Sequence, residues 1–240
     1  KVPATPETVY HWWSMTKVPT ALAILKLAEA GKLSLDDPVS DHLAFFRVEI
    51  DGQTTPPITI RQLFTHTHGL ARGDARRYLH DPTLTMDEAV RGIAKYDLIA
   101  DPGTALYYAG VGMQAAGRIC EIVTDKPWAQ IFRETIGDPL GMENTDYFGI
   151  GGPTENPDVA GAVRTCVDDY GKYLTMLLGR GVDVPMLVIL IGALGGMLMS
   201  GIVGLFTGAV VLAVGYKLLQ AWIGVGIEEA PASPGPEPAP

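Results

Sequence analysis

Between Val184 and Tyr216 the chain runs for 33 residues without a charged side chain. A bilayer core about 30 Å thick is crossed by roughly 20 apolar residues in a helix. The run is therefore long enough for one tilted span, or for a short helical hairpin breaking near Ser200-Gly201. Gly192, Gly195, Gly196, Gly201, Gly204 and Gly208 would let helices approach closely in lipid. A buried core helix is the alternative, but soluble core helices rarely run so far without a charge. Arg180 and Lys217 flank the run almost evenly, so neither side of the membrane is favoured. The domain organisation expected is thus a first part over 1–183, a membrane-spanning segment over 184–227, and a disordered, Pro-rich acidic tail over 228–240.

The first part reads differently. Residues 1–183 hold 17 basic and 24 acidic side chains in alternating helices, turns and polar loops. That acidic balance excludes nucleic acid as a partner, since phosphate binding rests on Lys and Arg. Cys120 lies in an apolar helical stretch and reads as a small core residue, and with Cys166 it makes no disulfide framework. Residues 1–13 lack the apolar core of a secretory leader.

Ser14-Met15-Thr16-Lys17 stands at the head of an apolar-periodic segment carrying Leu22, Ile24, Leu25, Leu27 and Ala28, with Gly31 as a stop residue. Residues three apart on a helix share a face, so the Lys17 amine comes within reach of the Ser14 hydroxyl. A serine becomes a nucleophile when an adjacent base removes its proton, and a partly desolvated lysine can be that base. A position in the first turn also favours developing negative charge.

Further motifs follow in order: Leu33-Ser34-Leu35-Asp36-Asp37-Pro38, Thr65-His66-Thr67-His68-Gly69-Leu70, Pro102-Gly103-Thr104 with Tyr108 beyond, Pro139-Leu140-Gly141-Met142, and Arg164-Thr165-Cys166-Val167-Asp168-Asp169-Tyr170. Together they resemble the penicillin-recognising serine hydrolases: class C β-lactamases, D-alanyl-D-alanine peptidases and related esterases. The resemblance runs from about Tyr10 to about Gly181. It implies the helical part of an α/β serine β-lactamase/DD-peptidase-like fold, mostly α here. Most sheet strands are expected to be missing at both ends, which would leave the apolar faces around Leu22–Leu27 and Ala115–Ile122 uncovered. The segment from Pro185 to Trp222 resembles the last membrane portion of the autoinducer-2 exporter family, as a gene fusion or a misassembled frame would produce.

The hydrolase resemblance implies an acyl-enzyme mechanism on an ester, amide or β-lactam carbonyl, without a cofactor or metal. Ser14 takes the nucleophile's position and Lys17 the base's. Tyr108 takes the catalytic tyrosine's position, with Tyr107 its rival. Gly110 occupies the substrate-binding place where the family has Asn, which weakens amide and β-lactam selectivity and tips the reading toward esters. No Lys-Thr-Gly or His-x-Gly tripeptide follows Tyr173. That strand would supply an oxyanion donor, so turnover is expected to be impaired. His66 and His68 read as part of a structural turn, His68 standing where the family has Ser, and a zinc site is set aside. A transport-protein fragment and an inactive binding protein are the two alternatives. The partners expected are a small-molecule or peptide acyl substrate and, through 184–216, membrane lipid.

Overall fold

Helix α5, Val111–Thr124, lies at the centre of the first part of the chain, and its residues say why. From Val111 to Gly117 every residue is buried, as are Ile119 and Cys120, so it is apolar nearly all round, as a surrounded helix must be. The computed structural model describes residues 3–46, 49–50, 53–70, 73–147 and 154–181, with Ile191, Leu212 and Tyr216 beyond them. Residues 1–173 and 174–240 form two compact units. In the second, the described residues are the last turns of a helix and the helical Ile191, Leu212 and Tyr216.

In the first unit, α1 (Lys17–Glu29), α2 (Val39–His42), α3 (Ile60–Phe64), α4 (Met86–Ile93) and α6 (Trp128–Phe132) all pack on α5. Pro19 is tolerated in the first turn of α1 because the amides there have no intrahelical acceptor. That helix stops at Gly31, whose φ is +66°. The Gly31 N–H bonds Ala28 C=O and the Lys32 N–H bonds Leu27 C=O, the paired closure of a Schellman motif. Both α3 and α4 start on reciprocal capping boxes, Thr59 with Gln62 and Thr85 with Glu88.

The strands are short. β1 (Tyr10–His11) and β4 (Asp146–Tyr147) flank β5 (Val163–Thr165) in an antiparallel sheet, and β2 (Glu49–Ile50) with β3 (Gln53–Thr54) forms a hairpin. Asp146 lies opposite Arg164 and accepts both its Nε and Nη2 at 2.9 and 2.8 Å, which pins the β4–β5 register. Beneath the sheet Tyr147 meets Trp128 and Phe132 edge-on, with ring centroids 5.8 and 4.9 Å apart. Chain then turns into α7, Val167–Gly181.

The expectation of uncovered apolar faces is largely corrected. Ala23, Ile24 and Leu27 of α1 and Ala115, Ala116, Ile119 and Cys120 of α5 are buried, because these helices pack on one another and on α6. Leu25 and Ile122 remain exposed. Among the described residues no helix is long and apolar enough to cross a membrane. The expected membrane segment over 184–227 and the expected tail over 228–240 lie outside the described residues apart from Ile191, Leu212 and Tyr216.

Two left-handed glycines separate backbone strain from steric clash. A Cβ on Gly31 would meet nothing within 4 Å, whereas one on Gly69, φ +74°, would sit 2.1 Å from the Ala100 carbonyl oxygen. Gly31→Ala should therefore cost about 1 kcal/mol and Gly69→Ala about 3 kcal/mol or more, read from urea midpoints. Equal midpoints would show that the Gly69 turn relaxes freely.

Candidate active site

Ser14 does not lie in an α-helix. A single 3₁₀ turn, Trp13–Thr16, precedes α1, and Lys17 is the first α-helical residue. This corrects the expected first-turn placement but brings the pair together all the same, since residues i and i+3 eclipse in a 3₁₀ turn. Lys17 Nζ donates to Ser14 Oγ at 3.3 Å and to the carbonyl of Ala160 at 2.9 Å. Trp13, immediately before the serine, holds a left-handed φ of +50°, a conformation that costs an L-residue about 1–3 kcal/mol. Its neighbour Trp12 is buried edge-on against Tyr170, 4.9 Å between centroids, so the two tryptophans part company at the turn.

Tyr108, not Tyr107, reaches Ser14. Its hydroxyl donates to Ser14 Oγ at 2.7 Å, and Lys17 Nζ lies 4.9 Å from the centre of its ring. The tyrosine is held there by hydrogen bonds between two loops. Gly103 N–H bonds Thr67 C=O, Tyr107 N–H bonds His66 C=O, and Ala109 N–H points at His66 Nδ1 at 3.4 Å. The His66 ring then lies 4.7 Å from that of Tyr108. His66 itself sits at φ +57°.

His68 does something different. It is fully buried, and its Nδ1 accepts the Leu70 N–H at 3.0 Å, so the neutral ring carries its proton on Nε2. That Nε2 meets no hydrogen-bond partner among the described residues. A Cβ on Gly112 would come within 2.5 Å of the ring, so the large residue at 68 depends on the small one at 112. His68 Nδ1 is thus engaged within its own turn, and the His66 and His68 ring centroids lie 6.4 Å apart. Among the described residues no cluster of three metal-ligating side chains occurs.

An open cleft lies over Ser14, Lys17 and Tyr108. Trp13, Leu79, Ala109, Gly110 and Val111 give it apolar walls, and Arg76, His80 and Asp158 share it. Burial pushes the Asp158 carboxyl upward, while the Ala160 N–H and the neighbouring His80, Lys17 and Arg76 pull the other way. His80 Nδ1 lies 3.8 Å from that carboxylate, an ion-pair distance beyond hydrogen bonding. Gly110, the expected substrate-binding position, sits at the start of α5 and lines the cleft. A side chain there would press on Ala160 Cβ at 3.0 Å and Leu79 Cδ1 at 3.2 Å.

The sequence reading missed Ala160, whose carbonyl accepts from Lys17, and the Arg76–His80–Asp158 group. No local pattern marks them, since they lie some 60 to 145 residues from Ser14 along the chain.

Comparison with known proteins decides the ancestry. The Beta-lactamase family pattern matches residues 1–188. The chain belongs to the β-lactamase family. It is 33% identical over 148 residues to Protein flp of Staphylococcus aureus strain MW2, covering 61% of this chain and 30% of that one. It is 32% identical over 151 residues to Penicillin-binding protein 4 of Amycolatopsis lactamdurans, covering 60% and 37%. The chain thus spans about a third of the length of these curated relatives. Among solved structures, EstCE1, a hydrolase with promiscuous acyltransferase activity, superposes with a TM-score of 0.65 at 25% identity, over 74% of this chain and 61% of that one. The octameric penicillin-binding protein homologue from Pyrococcus abyssi gives 0.62 at 28%, over 77% and 52%.

Burial lowers the His68 pKa to about 4, with His66 nearby acting in the same direction. The fold accepts the neutral ring, so protons bind preferentially to the unfolded chain between that value and the ordinary 6.5. His68's contribution is complete above pH 6.5 and is lost as the pH falls toward 4. His68→Gln should flatten the loss of urea stability between pH 7 and 4.5 by about 2 kcal/mol relative to the unsubstituted chain. Parallel curves would mean that the buried ring is protonated without cost.

Proposed function

We propose that this chain carries the nucleophile of a serine hydrolase that passes through an acyl-enzyme on Ser14, acting on esters in preference to amides or β-lactams. One observation carries the reading: Ser14 Oγ accepts from both Tyr108 Oη, at 2.7 Å, and Lys17 Nζ, at 3.3 Å, at the foot of an open cleft. The two partners are coupled through the serine oxygen. Once one proton has left the Lys17–Tyr108 couple, the deprotonated member takes the Ser14 proton as Oγ attacks the substrate carbonyl carbon. The carbonyl π electrons move to oxygen, and the tetrahedral adduct collapses with expulsion of the leaving group. The leaving oxygen or nitrogen takes a proton back from the same couple, and water then releases the acyl group by the reverse logic.

The preference for esters rests on Gly110. No side-chain amide is available there to orient a substrate N–H, and Ala160 and Leu79 leave little room for one. An ester has no N–H to satisfy, so it loses nothing by this. EstCE1 is a hydrolase with promiscuous acyltransferase activity, and the chain covers 61% of it and 52% of the penicillin-binding protein homologue. Turnover of such an acyl-enzyme is part of this proposal.

Acylation is testable directly. Treatment with a fluorophosphonate or an activated ester, followed by mass mapping, should place the label on Ser14. Lys17→Ala and Tyr108→Phe should each slow labelling by about 10²-fold, and Tyr107→Phe should leave it unchanged. Label that survives Ser14→Ala sinks the assignment. Gly110→Asn should slow ester labelling, without a compensating gain on amides, because the new side chain displaces the Ala160 segment.

We also propose that residues 184–216 anchor the chain in a bilayer; their charge-free length supports this. The transport-fragment alternative has no support from the relatives found. The full chain should stay with membranes through alkaline carbonate extraction, and Leu198→Lys with Leu205→Lys should release it. Extraction of the unsubstituted chain would leave a buried helix as the reading.

A further inference from the structure

The carbonyl that receives Lys17 belongs to a strap, residues 156–162, that forms neither helix nor strand before β5 begins and turns at 159–161, where the Asp158 carbonyl accepts the Gly161 and Ala162 N–H groups at 3.1 and 2.8 Å. A loop carbonyl is a poor anchor for a catalytic ammonium unless something holds the loop. Here the holding groups are buried and fully used. Val159, next to Ala160, has both its backbone groups clamped from opposite sides. Its N–H bonds Gln114 Oε1 at 3.2 Å, and its C=O accepts from Thr20 Oγ1 at 2.7 Å. Gln114 and Thr20 are themselves 0% exposed.

Each clamp residue is fixed in turn. Gln114 Nε2 donates to Asn156 Oδ1 at 2.8 Å and to Pro157 C=O at 3.0 Å. These partners settle which end of its amide is which, since a flipped amide would set donor against donor at Val159 and acceptor against acceptor at Pro157. Asn156 Nδ2 reaches back to the carbonyls of Tyr78 and Asp81 at 2.6 and 3.2 Å. Thr20 Oγ1 also lies 2.6 Å from the buried Tyr147 hydroxyl. The strap tightens on itself where Asp158 Oδ1 accepts the Ala160 N–H at 2.8 Å.

Thr20 lies three residues after Lys17 on α1, so both side chains leave the same face of that helix toward the same strap. Lys17 bonds Ala160 C=O and Thr20 bonds Val159 C=O, a two-point register between α1 and the strap. Gln114, from α5, closes the third side. Resting on the acylation chemistry proposed above, we infer that Thr20 and Gln114 are positioning residues, which hold the Ala160 carbonyl where it aims the Lys17 ammonium at Ser14. Neither side chain lines the cleft. They act through Lys17.

The experiment uses the full chain with Thr20→Val, Thr20→Ser and Gln114→Leu, each alone and combined with Lys17→Ala. Fluorophosphonate labelling of Ser14 should slow about tenfold in Thr20→Val and in Gln114→Leu, with the probe concentration at half-saturation little changed, since a small misplacement of a catalytic group costs rate before binding. Thr20→Ser, which keeps the hydroxyl, should restore the rate. In the Lys17→Ala background neither substitution should slow labelling further, because the group they position is gone.

A second readout is independent of Ser14. The ¹⁵Nζ resonance of Lys17, assigned by its disappearance in Lys17→Ala, should titrate with a lower midpoint in both variants, as the charged amine loses its carbonyl acceptor. Asp158, His80, Arg76 and Tyr108, which share the cleft with Lys17, are unchanged in them. An equal slowing with and without Lys17 would overturn the inference, as would an unmoved titration. If Gln114→Leu does not fold, Thr20→Val and Thr20→Ser decide alone. A chain whose serine takes no label defeats the hydrolase reading, while the ¹⁵N titration still decides the clamp.

Discussion

A hydrogen bond 2.9 Å long joins the Lys17 ammonium to the carbonyl of Ala160, across 143 residues of chain. Without it Lys17 would be one of many lysines at the start of a helix, free to turn to solvent. With it, one of the three ammonium donors is spent on a fixed backbone acceptor, and a second falls on Ser14 Oγ. The 3₁₀ turn sets the spacing of serine and lysine, but the strap sets the direction. The sheet supports both, since Trp12 N–H bonds Val163 C=O just beyond the strap and ties the approach to Ser14 to the strap's exit.

Polar groups do much of this work inside the core. Thr20, Gln114, Asn156 and Thr165 are buried to within a few per cent, and each has partners. A buried polar side chain left unmatched costs about 1–3 kcal/mol, so such groups tolerate one arrangement of their surroundings where an apolar core tolerates several. That intolerance gives a loop without regular secondary structure a fixed position. Among the described residues His68 is one of the exceptions, its buried Nε2 meeting no hydrogen-bond partner. Its ring fills the space that Gly112 leaves on α5, so packing there is won against a polar cost.

Much of this was legible from local pattern. The Gly31 stop, the apolar run of α5 and the turn at Asp36-Asp37-Pro38 follow from interactions within a few residues, which a sequence displays directly. Asp37 Oδ2 accepts the Ser34 N–H at 2.8 Å inside that turn. Membership of the β-lactamase family was legible for the same reason, since its motifs are short and keep their order. Where the reading slipped, non-local packing was responsible. The helix faces expected to stand uncovered find one another, and the α-helix expected at Ser14 tightens into a 3₁₀ turn behind a left-handed Trp13.

By itself the sequence determined that Ser14 and Lys17 share a face and that a tyrosine follows the Pro102-Gly103-Thr104 turn. These depend on spacing and residue type alone. Only the tertiary structure decided between Tyr107 and Tyr108, because which hydroxyl reaches the serine depends on hydrogen bonds from the 103–109 loop to His66 and Thr67. It alone decided that a backbone carbonyl from residue 160 aims the lysine. A carbonyl is common to every residue, so nothing in the identity of Ala160 announces it. What distinguishes it is position, and buried groups far away in the chain set that position.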